Sequence, residues 1–334
     1  LGCAQHVDEG HGSILEGFSE AINMLTMQTH LPLLTRKQLF TLITLTLVWG
    51  FNWPTLKMGV TGFPPLTFRS ICMWIGWPVL GLVIWRMKIS FVVPRKEWRE
   101  LLMLATSNMF IWHVFIILAV QDLSSGRAAI LGYTMPIFSA VFGWLLFHSP
   151  LKPKAWFGVG LAAAGAVLLL WHEFTHLSGK PLGVFMALLA AASWALGTQQ
   201  IRHTKMSVHT LTIVFWMTGL TTLLMSVLAV LFEMDRWVEP SARNWGAIFY
   251  NAIGVFVFAQ AAWLGLARNL PPLASTLSVM FIPVLGVFSG SWLLGEVLHW
   301  QDMFAVVLIV LAIASVLWPT SAPPPKDDGE VSGP

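Results

Sequence analysis

The sequence predicts an all-α integral membrane protein of ten transmembrane helices, arranged as two inverted five-helix repeats with both termini in the cytoplasm. Three observations predict this fold: the composition, the number of apolar segments and an internal repeat. Of the 334 residues, 56% are hydrophobic and only 10% are charged, whereas soluble domains carry about 25% charged residues. Because so few charges cannot cover a water-facing surface, we expect a lipid bilayer around the chain.

Ten apolar segments are long enough, or nearly so, to cross the hydrocarbon core, which takes about 20 helical residues. None shows the period of two that a membrane-spanning strand requires. The predicted helices are Leu39–Gly59, Pro65–Met87, Trp98–Val120, Ser125–His148, Lys154–Trp171, Pro181–Ile201, Thr210–Phe232, Trp245–Ala267, Leu273–Gly295 and Met303–Trp318.

The second half of the chain repeats the first at an offset of 147 positions. In the clearest stretch, 133–171 matches 280–318 without a gap, and Pro136 pairs with Pro283. Because each copy holds five helices, an odd number, the second copy enters the membrane from the opposite side, as in transporters with inverted repeats. The predicted units are an N-terminal extension (1–35), repeat 1 (36–175), repeat 2 (180–318) and a disordered polar tail (319–334).

The loops predict the orientation, because cytoplasmic loops carry an excess of Lys and Arg. One side of the membrane collects thirteen of these residues and is therefore predicted to be cytoplasmic. The opposite side carries only Lys57, Arg127, Lys180, Arg236 and Arg243. We find no signal peptide in residues 1–30, which lack its ordered charged and apolar regions.

Short patterns throughout the chain resemble a known family. They include Trp49–Trp53 in helix 1, Pro65–Arg69 at the start of helix 2, Ser193–Gly197 in helix 6, and Trp292–Glu296 at the end of helix 9. With the proline-containing fourth helix and compact fifth helix, this arrangement over residues 36–318 resembles the ten-helix EamA branch of the drug/metabolite transporter superfamily. In its high tryptophan content, with 18 tryptophans, the chain is most similar to the YddG-type exporters of aromatic amino acids.

This resemblance implies a multi-pass protein of the bacterial inner (plasma) membrane. It implies export of small metabolites, chiefly aromatic and other amino acids, by alternating access through a central cavity between the repeats. The chain departs from the family in one place. Family members often have Glu near the end of helix 4, as Glu296 stands at the end of helix 9, but Ser149 holds the matching position here.

Aromatic and polar residues deep in the predicted helices are candidates for the cavity lining, since intramembrane polarity is costly and often functional. The candidates are Trp49, Asn52, Asn108, Trp112, His113, Tyr133, Trp194, Gln199, Tyr250, Gln260 and Trp263. The simpler reading is that each polar group bonds a neighbouring helix. An aromatic wall stacks on planar side chains and also attracts organic cations, so a broad drug or organic-cation exporter is the alternative.

Two prolines and one arginine complete the candidate residues. Pro136 and Pro283 are expected to kink helices 4 and 9, because an interior proline removes a hydrogen bond and clashes with the preceding turn. We predict that these bends form a gate or hinge. Arg69, about one turn into helix 2, is predicted either to snorkel to the interface as an anchor or to attract a substrate carboxylate in a vestibule.

Other functional classes are less well supported. No Asp or Glu lies in the middle of a predicted helix, which disfavours proton antiport through a carboxylate relay; facilitated export and coupling through histidine stay open. Cys3 and Cys72 suggest neither disulfides nor a metal site. No nucleophile–base pair stands out, so a membrane-embedded enzyme is the weakest alternative. We expect no catalytic residue, no metal site and no cofactor. The expected partners are a small-molecule substrate and the lipid bilayer, and not nucleic acid; the oligomeric state is left open.

Overall fold

The protein is a bundle of helices, and the part of the chain described here contains no β-strand. The computed structural model describes residues 35–148, 153–175, 180–259, 262 and 272–317. The predicted N-terminal extension, apart from Thr35, and the predicted tail lie outside the described residues, as do Ser149, Gln260 and Trp263.

The first repeat contributes five helical runs, two of which are irregular. They are α1 (Arg36–Val60), α2 (Pro65–Arg86), α3 (Arg95–Asp122), α4 (Ser125–Phe147) and α5 (Pro153–Thr175). In α3 the segment Ala105–Phe110 is a π-helix. The fourth run consists of α4a (Ser125–Gly132) and α4b (Met135–Phe147), with a turn at residues 133 and 134.

The second repeat follows the same plan. Its helical runs are α6 (Pro181–His203), α7 (Thr210–Glu233), α8 (242–259), α9 (Pro272–Leu294) and α10 (Trp300–Leu317). In α8, an α-helical start is followed by a π-helix over Tyr250–Ala259. A shift of 147 positions places the π-helix of α3 inside that of α8, so both copies carry the same irregularity.

Six of the described runs are long and apolar enough to cross a membrane: α1, α2, α3, α4, α6 and α7. Shorter apolar helices occupy Pro153–Leu169, Met280–Leu294 and Trp300–Ser315. The chain therefore crosses a membrane several times. The number of ten crossings and the cytoplasmic placement of the termini stay predictions.

The helix ends follow from local sequence. Capping boxes open α1, where Thr35 and Gln38 bond each other's backbone N–H groups, and α8, where Ser241 and Asn244 do the same; they satisfy donors that the first turn leaves unpaired. The runs α4 and α9 end alike. His148 and Gly295, 147 positions apart, adopt the left-handed backbone conformation that closes many helices, with φ of 52° and 66°.

The helix that contains Pro136 is interrupted in the turn just before the proline, at the place where the sequence predicts a kink. Pro136 is the second residue of α4b, so its missing N–H falls in the first turn, where no interior hydrogen bond is lost. The break in α4 lies at Tyr133 and Thr134. Pro283 lies inside α9, which is continuous from Pro272 to Leu294.

Six of the helical runs pack in two blocks, each drawn from both repeats. Block one contains α1, α8 and α9, and block two contains α6, α3 and α4. Glycines allow the close approach within them: a Cβ at Gly50 would lie 2.6 Å from Leu285 Cβ of α9, and a Cβ at Gly197 would overlap Asn108 of α3. Since the repeat pairs α1 with α6, α8 with α3 and α9 with α4, the two blocks have equivalent helices.

The blocks meet at one end of the bundle, where α1 ends and α2, α4 and α6 begin. We call this the Lys57 end, and the opposite one the Arg36 end. A Cβ at Gly132 of α4a would lie 2.7 Å from Cη2 of Trp53 in α1. A Cβ at Gly286 of α9 would lie 2.6 Å from Ala129 Cβ of α4a. Every residue of α4a is buried, so this short helix is the centre of the contact between the blocks.

Candidate functional site

An aromatic pair from different repeats lies at the centre of block two. Trp112 of α3 and Trp194 of α6 are both half-buried, with ring centroids 5.3 Å apart. Asn108 Nδ2, in the π-helix of α3, donates a hydrogen bond of 3.1 Å to the Trp194 carbonyl oxygen. Three residues predicted to line the cavity are therefore in one cluster, and Asn108 fixes the position of α6 beside α3.

Gln199, in the same block, bonds α6 to α4b. Its Nε2 donates to the Ser139 carbonyl oxygen at 2.6 Å and to Ser139 Oγ at 3.0 Å, and the side chain is buried. On the neighbouring residue, Gln200 Oε1 accepts from Ser107 Oγ at 2.6 Å. These bonds fasten α6 to α4b and α3, which is the simpler of the two readings that the sequence allowed for Gln199.

Block one presents a second set of candidates. Tyr250 Oη, at the start of the α8 π-helix, donates to the Val48 carbonyl oxygen of α1 at 2.8 Å. Trp49 and Asn52, on the following turn of α1, are half-buried. The Asn52 Oδ1 atom is buried and accepts no hydrogen bond from the residues described, so this amide retains an unused acceptor.

Tyr133 lies where the two blocks meet. Its ring is buried and contacts Trp53 of α1 edge-on, with centroids 6.2 Å apart. It occupies the break between α4a and α4b. Tyr133 therefore fills the junction of the blocks, and Trp53, which was not among the predicted site residues, is its main aromatic partner.

Arg69 and His113 belong to a second cluster, between α2, α3 and α8. The Arg69 side chain does not snorkel, because the residue is only 3% exposed. Its Nη1 donates to Asn251 Oδ1 at 3.4 Å, and its Cζ lies 5.7 Å from the Phe256 ring centroid. The buried His113 ring has its centroid 5.5 Å from that of Phe256.

A polar latch joins the repeats at the Lys57 end. The Glu296 carboxylate, after α9, accepts from Ser125 N at 2.7 Å, Ser125 Oγ at 2.8 Å and Gly126 N at 3.3 Å, and thereby caps α4a. Arg127 Nε lies 2.6 Å from Asp302 Oδ1 of α10, with both side chains at most 10% exposed. Ser125, Gly126, Arg127, Glu296 and Asp302 make up the latch.

Lys57 and Asn244 add further ties at this end. Lys57 Nζ donates to the carbonyl oxygens of Val120, Gln121 and Leu123 at 2.7–2.9 Å. Asn244 Nδ2 donates to the carbonyl oxygens of residues 58, 59 and 61. Carbonyls at a helix C-terminus lack partners within their own helix, so these side chains satisfy the ends of α3 and α1 while joining them to other helices.

Sequence reasoning missed the latch and both π-helices. The latch bonds join residues at least 170 positions apart, which no local pattern reveals. The π-helices contain Asn108, which bonds Trp194, and Tyr250, which bonds Val48; such irregularities are frequently functional. Within the described ranges, no three His, Cys, Asp or Glu residues come together as a metal site requires.

Comparison with known proteins agrees with this architecture. The model of the EamA-like transporter family matches the chain twice, at residues 36–171 and 181–318. The chain belongs to the EamA-like transporter family. The two EamA domains account for the duplicated helices, and the protein is a multi-pass membrane transporter of the inner membrane.

Several EamA relatives match over most of their length. "Uncharacterized transporter YoaV" of Bacillus subtilis (strain 168) is 22% identical over 83% of this chain and 94% of its own. "Uncharacterized inner membrane transporter YedA" of Escherichia coli (strain K12) is 26% identical over 82% and 89%. A "Probable amino-acid metabolite efflux pump" of Salmonella typhimurium is 23% identical over 84% and 94%.

A solved crystal structure has the same fold. It superposes with a TM-score of 0.59 at 21% sequence identity, covering 84% of this EamA chain and 96% of the other. At this identity the similarity shows the fold alone.

Proposed function

We propose that this EamA protein exports small metabolites by alternating access, with aromatic and other amino acids as its main substrates, through a central cavity between the two repeats. The observation that carries the proposal is the position of the contacts between the blocks. Trp53 meets Tyr133, α9 meets α4a, and the latch joins the repeats, all toward the Lys57 end. A carrier closed at one end opens at the other.

The loop charges supply the direction. They predict ten crossings with the Arg36 end in the cytoplasm. With this orientation, the Lys57 end faces outward and contacts at that end close the carrier to the outside. In inverted repeats the copies exchange conformations as access alternates. Export then requires the latch to open at the Lys57 end and the blocks to close at the Arg36 end.

The substrate class follows from the groups near the Arg36 side of the block contact. The half-buried faces of Trp112 and Trp194 suit planar apolar side chains, and the unused Asn52 Oδ1 suits an ammonium or N–H donor. A relative named as a probable amino-acid metabolite efflux pump supports this class. We assign substrate contact to Trp49, Asn52, Trp112 and Trp194, and a gating role to Tyr133.

The test is transport by the purified full chain in proteoliposomes, with tryptophan, phenylalanine and a quaternary ammonium dye as substrates. We expect saturable uptake of the amino acids, reduced about tenfold by Trp112→Ala, since losing an aromatic contact and its buried area costs roughly 1–2 kcal/mol. Trp144→Ala is the matched control, because Trp144 pairs with Trp156 at 4.9 Å on an exposed face.

The other outcomes are equally informative. Uptake of the dye alone selects the drug or organic-cation exporter, whose cations the same aromatic faces would attract. Uptake of neither amino acid overturns the substrate assignment. Repeating the assay with and without a proton gradient separates facilitated export from proton coupling.

A further inference from the structure

Arg69 is a buried cation without an acidic partner. It is 3% exposed, and it forms no ion pair with any carboxylate in the part of the chain that the structure describes. Arginine does not lose its proton in proteins. Within the bilayer region an uncompensated charge is costly, and such residues are a mark of functional sites.

The contacts of Arg69 orient the guanidinium without neutralising it. Asn251 Oδ1 accepts from Nη1 at 3.4 Å, while Asn251 Nδ2 donates to the Ala247 carbonyl oxygen at 3.2 Å. The amide is therefore held with its oxygen toward Arg69. The face of Phe256 supplies a cation–π contact at 5.7 Å. The Nε of Arg69 is buried and has no hydrogen-bond acceptor among the described residues.

A second unsatisfied nitrogen lies in the same cluster. His113 Nδ1 is buried and has no hydrogen-bond partner in the described ranges, and its ring packs against Phe256, 5.5 Å between centroids. Buried polar atoms are nearly always satisfied, so two unsatisfied nitrogens around one phenyl ring are unusual. Phe256 belongs to the α8 π-helix, and π-helical segments frequently occur at functional sites.

We propose that Arg69 and His113 form a buried subsite for a small monoanion, which Phe256 covers in the state described here. Arg69 Nε and, in the tautomer that carries hydrogen there, His113 Nδ1 are the donors, and Asn251 positions the guanidinium. The monoanion is either the carboxylate of a transported amino acid, which rests on the proposed function, or free chloride. Either anion accepts hydrogen bonds from the guanidinium and neutralises its positive charge.

Thermal unfolding of the purified full chain tests the subsite without transport. Unfolding midpoints are measured in sodium chloride, in sodium phenylacetate and, as a bulky reference anion, in sodium gluconate, at one ionic strength. We expect chloride or phenylacetate to raise the midpoint of the wild type and not that of Arg69→Gln. Arg86→Gln is the matched control, because Arg86 is exposed at the other end of the same helix, and it should keep the shift.

Arg69→Gln also separates a ligand site from a packing role. If Arg69 only supports packing, Arg69→Gln lowers the midpoint equally in all three salts and the wild type shows no anion-specific shift; that result overturns the proposal. A shift with phenylacetate assigns the subsite to carboxylates, and a shift with chloride alone assigns it to the free ion.

A transport measurement then links the subsite to the substrate. If the carboxylate is the ligand, Arg69→Gln lowers phenylalanine uptake about ten- to a hundredfold, as expected for one charged hydrogen-bonding partner, and leaves uptake of phenylalaninamide unchanged. If the wild type moves no amino acid, the proposed function fails while the anion-specific shift still decides the subsite. If phenylalanine uptake is normal but no anion-specific shift exists, the subsite fails and the proposed function stands.

Discussion

The helical runs α4 and α9 are copies of one sequence pattern in two conformations. Pro136 and Pro283 occupy matching positions, and both runs end in a left-handed residue. Yet α4 is interrupted at residues 133 and 134, while α9 is continuous through Pro283. The proline alone therefore does not decide whether the helix breaks, and the surroundings of each copy must do so.

The clearest difference between those surroundings is the latch. A shift of 147 positions replaces four of the five latch residues by residues that cannot make the same bonds; the fifth, Gly126, contributes only its backbone N–H. Ser125 corresponds to Pro272, Arg127 to Ala274, Glu296 to Ser149 and Asp302 to Ala155. Proline has no N–H to donate. The Arg36 end therefore lacks counterparts both of the Glu296 carboxylate, which accepts, and of the Ser125 backbone N–H, which donates.

The two repeats therefore share one arrangement of helices but differ in the polar contacts at their ends. Polar contacts hold the Lys57 end, whereas the residue types at the matching positions of the Arg36 end cannot reproduce them. We infer that the state closed at the Lys57 end is favoured at rest, and that α9 breaks near Met280, the counterpart of Tyr133, when α4 straightens.

The largest expected effect comes from breaking the buried ion pair of the latch. Arg127→Ala removes the arginine partner of the buried Asp302 carboxylate, which then keeps, among the described residues, only the contacts to the His299 backbone N–H and ring. We expect this loss to lower the free energy of unfolding by up to about 3–5 kcal/mol. Removing both charges in Arg127→Ala/Asp302→Ala should recover part of the loss. Chemical or thermal unfolding in detergent measures both variants.

Arg236→Ala is the control for this ion pair. Arg236 lies 3.9 Å from Glu233 at the same end but is 59% exposed, so its removal should change stability by less than about 1 kcal/mol. Equal losses for Arg127→Ala and Arg236→Ala would show that the latch contributes no more than a surface contact.

The next largest effect distinguishes the two prolines. Pro283→Ala restores an interior hydrogen bond and should favour continuous α9 by up to about 3 kcal/mol, which slows transport if α9 must break. Pro136→Ala acts in a first turn and should change stability little. Uptake rates and unfolding midpoints of both variants test this, and equal rates for the two variants would argue against the exchange of conformations between α4 and α9.

The smallest effect concerns the cap of α4a. Glu296→Gln removes the negative charge from the helix N-terminus and should destabilise the protein by about 1 kcal/mol. Glu239→Gln, an exposed carboxylate before α8, should have no measurable effect. If Glu296→Gln leaves the unfolding midpoint unchanged, the cap does not hold α4a and the ion pair must do so alone.

The sequence was sufficient for the helical runs and for the repeat. Apolar runs bounded by loops place α2 and α6 from their first prolines onward, because composition and length determine where a membrane helix lies. It was insufficient where the outcome depends on packing. Arg69 near a helix end suggested snorkelling, but Asn251 and Phe256 of α8 pack around it, and no local pattern shows that.

The difference between an interrupted α4 and a continuous α9 was beyond sequence reasoning. Proline was expected to bend both copies, whereas α4a is held by Glu296, 171 positions from Ser125, and by Trp53 of α1. Of the predicted cavity residues, Asn108, Trp112 and Trp194 do lie together. Gln199 was among the candidates, but its bonds to Ser139 could not be foreseen without the position of α4b.

The most direct test of the exchange between α4 and α9 is a pair of distances measured by electron spin resonance between spin labels on the full chain in proteoliposomes. One pair, at Thr61 and Gln121, reports the Lys57 end; the other, at Leu39 and Leu146, reports the Arg36 end, and all four residues are exposed. Opening the latch with Arg127→Ala/Glu296→Gln should lengthen the first distance and shorten the second together. A change at one end without the opposite change at the other would contradict alternating access by exchange between the two repeats.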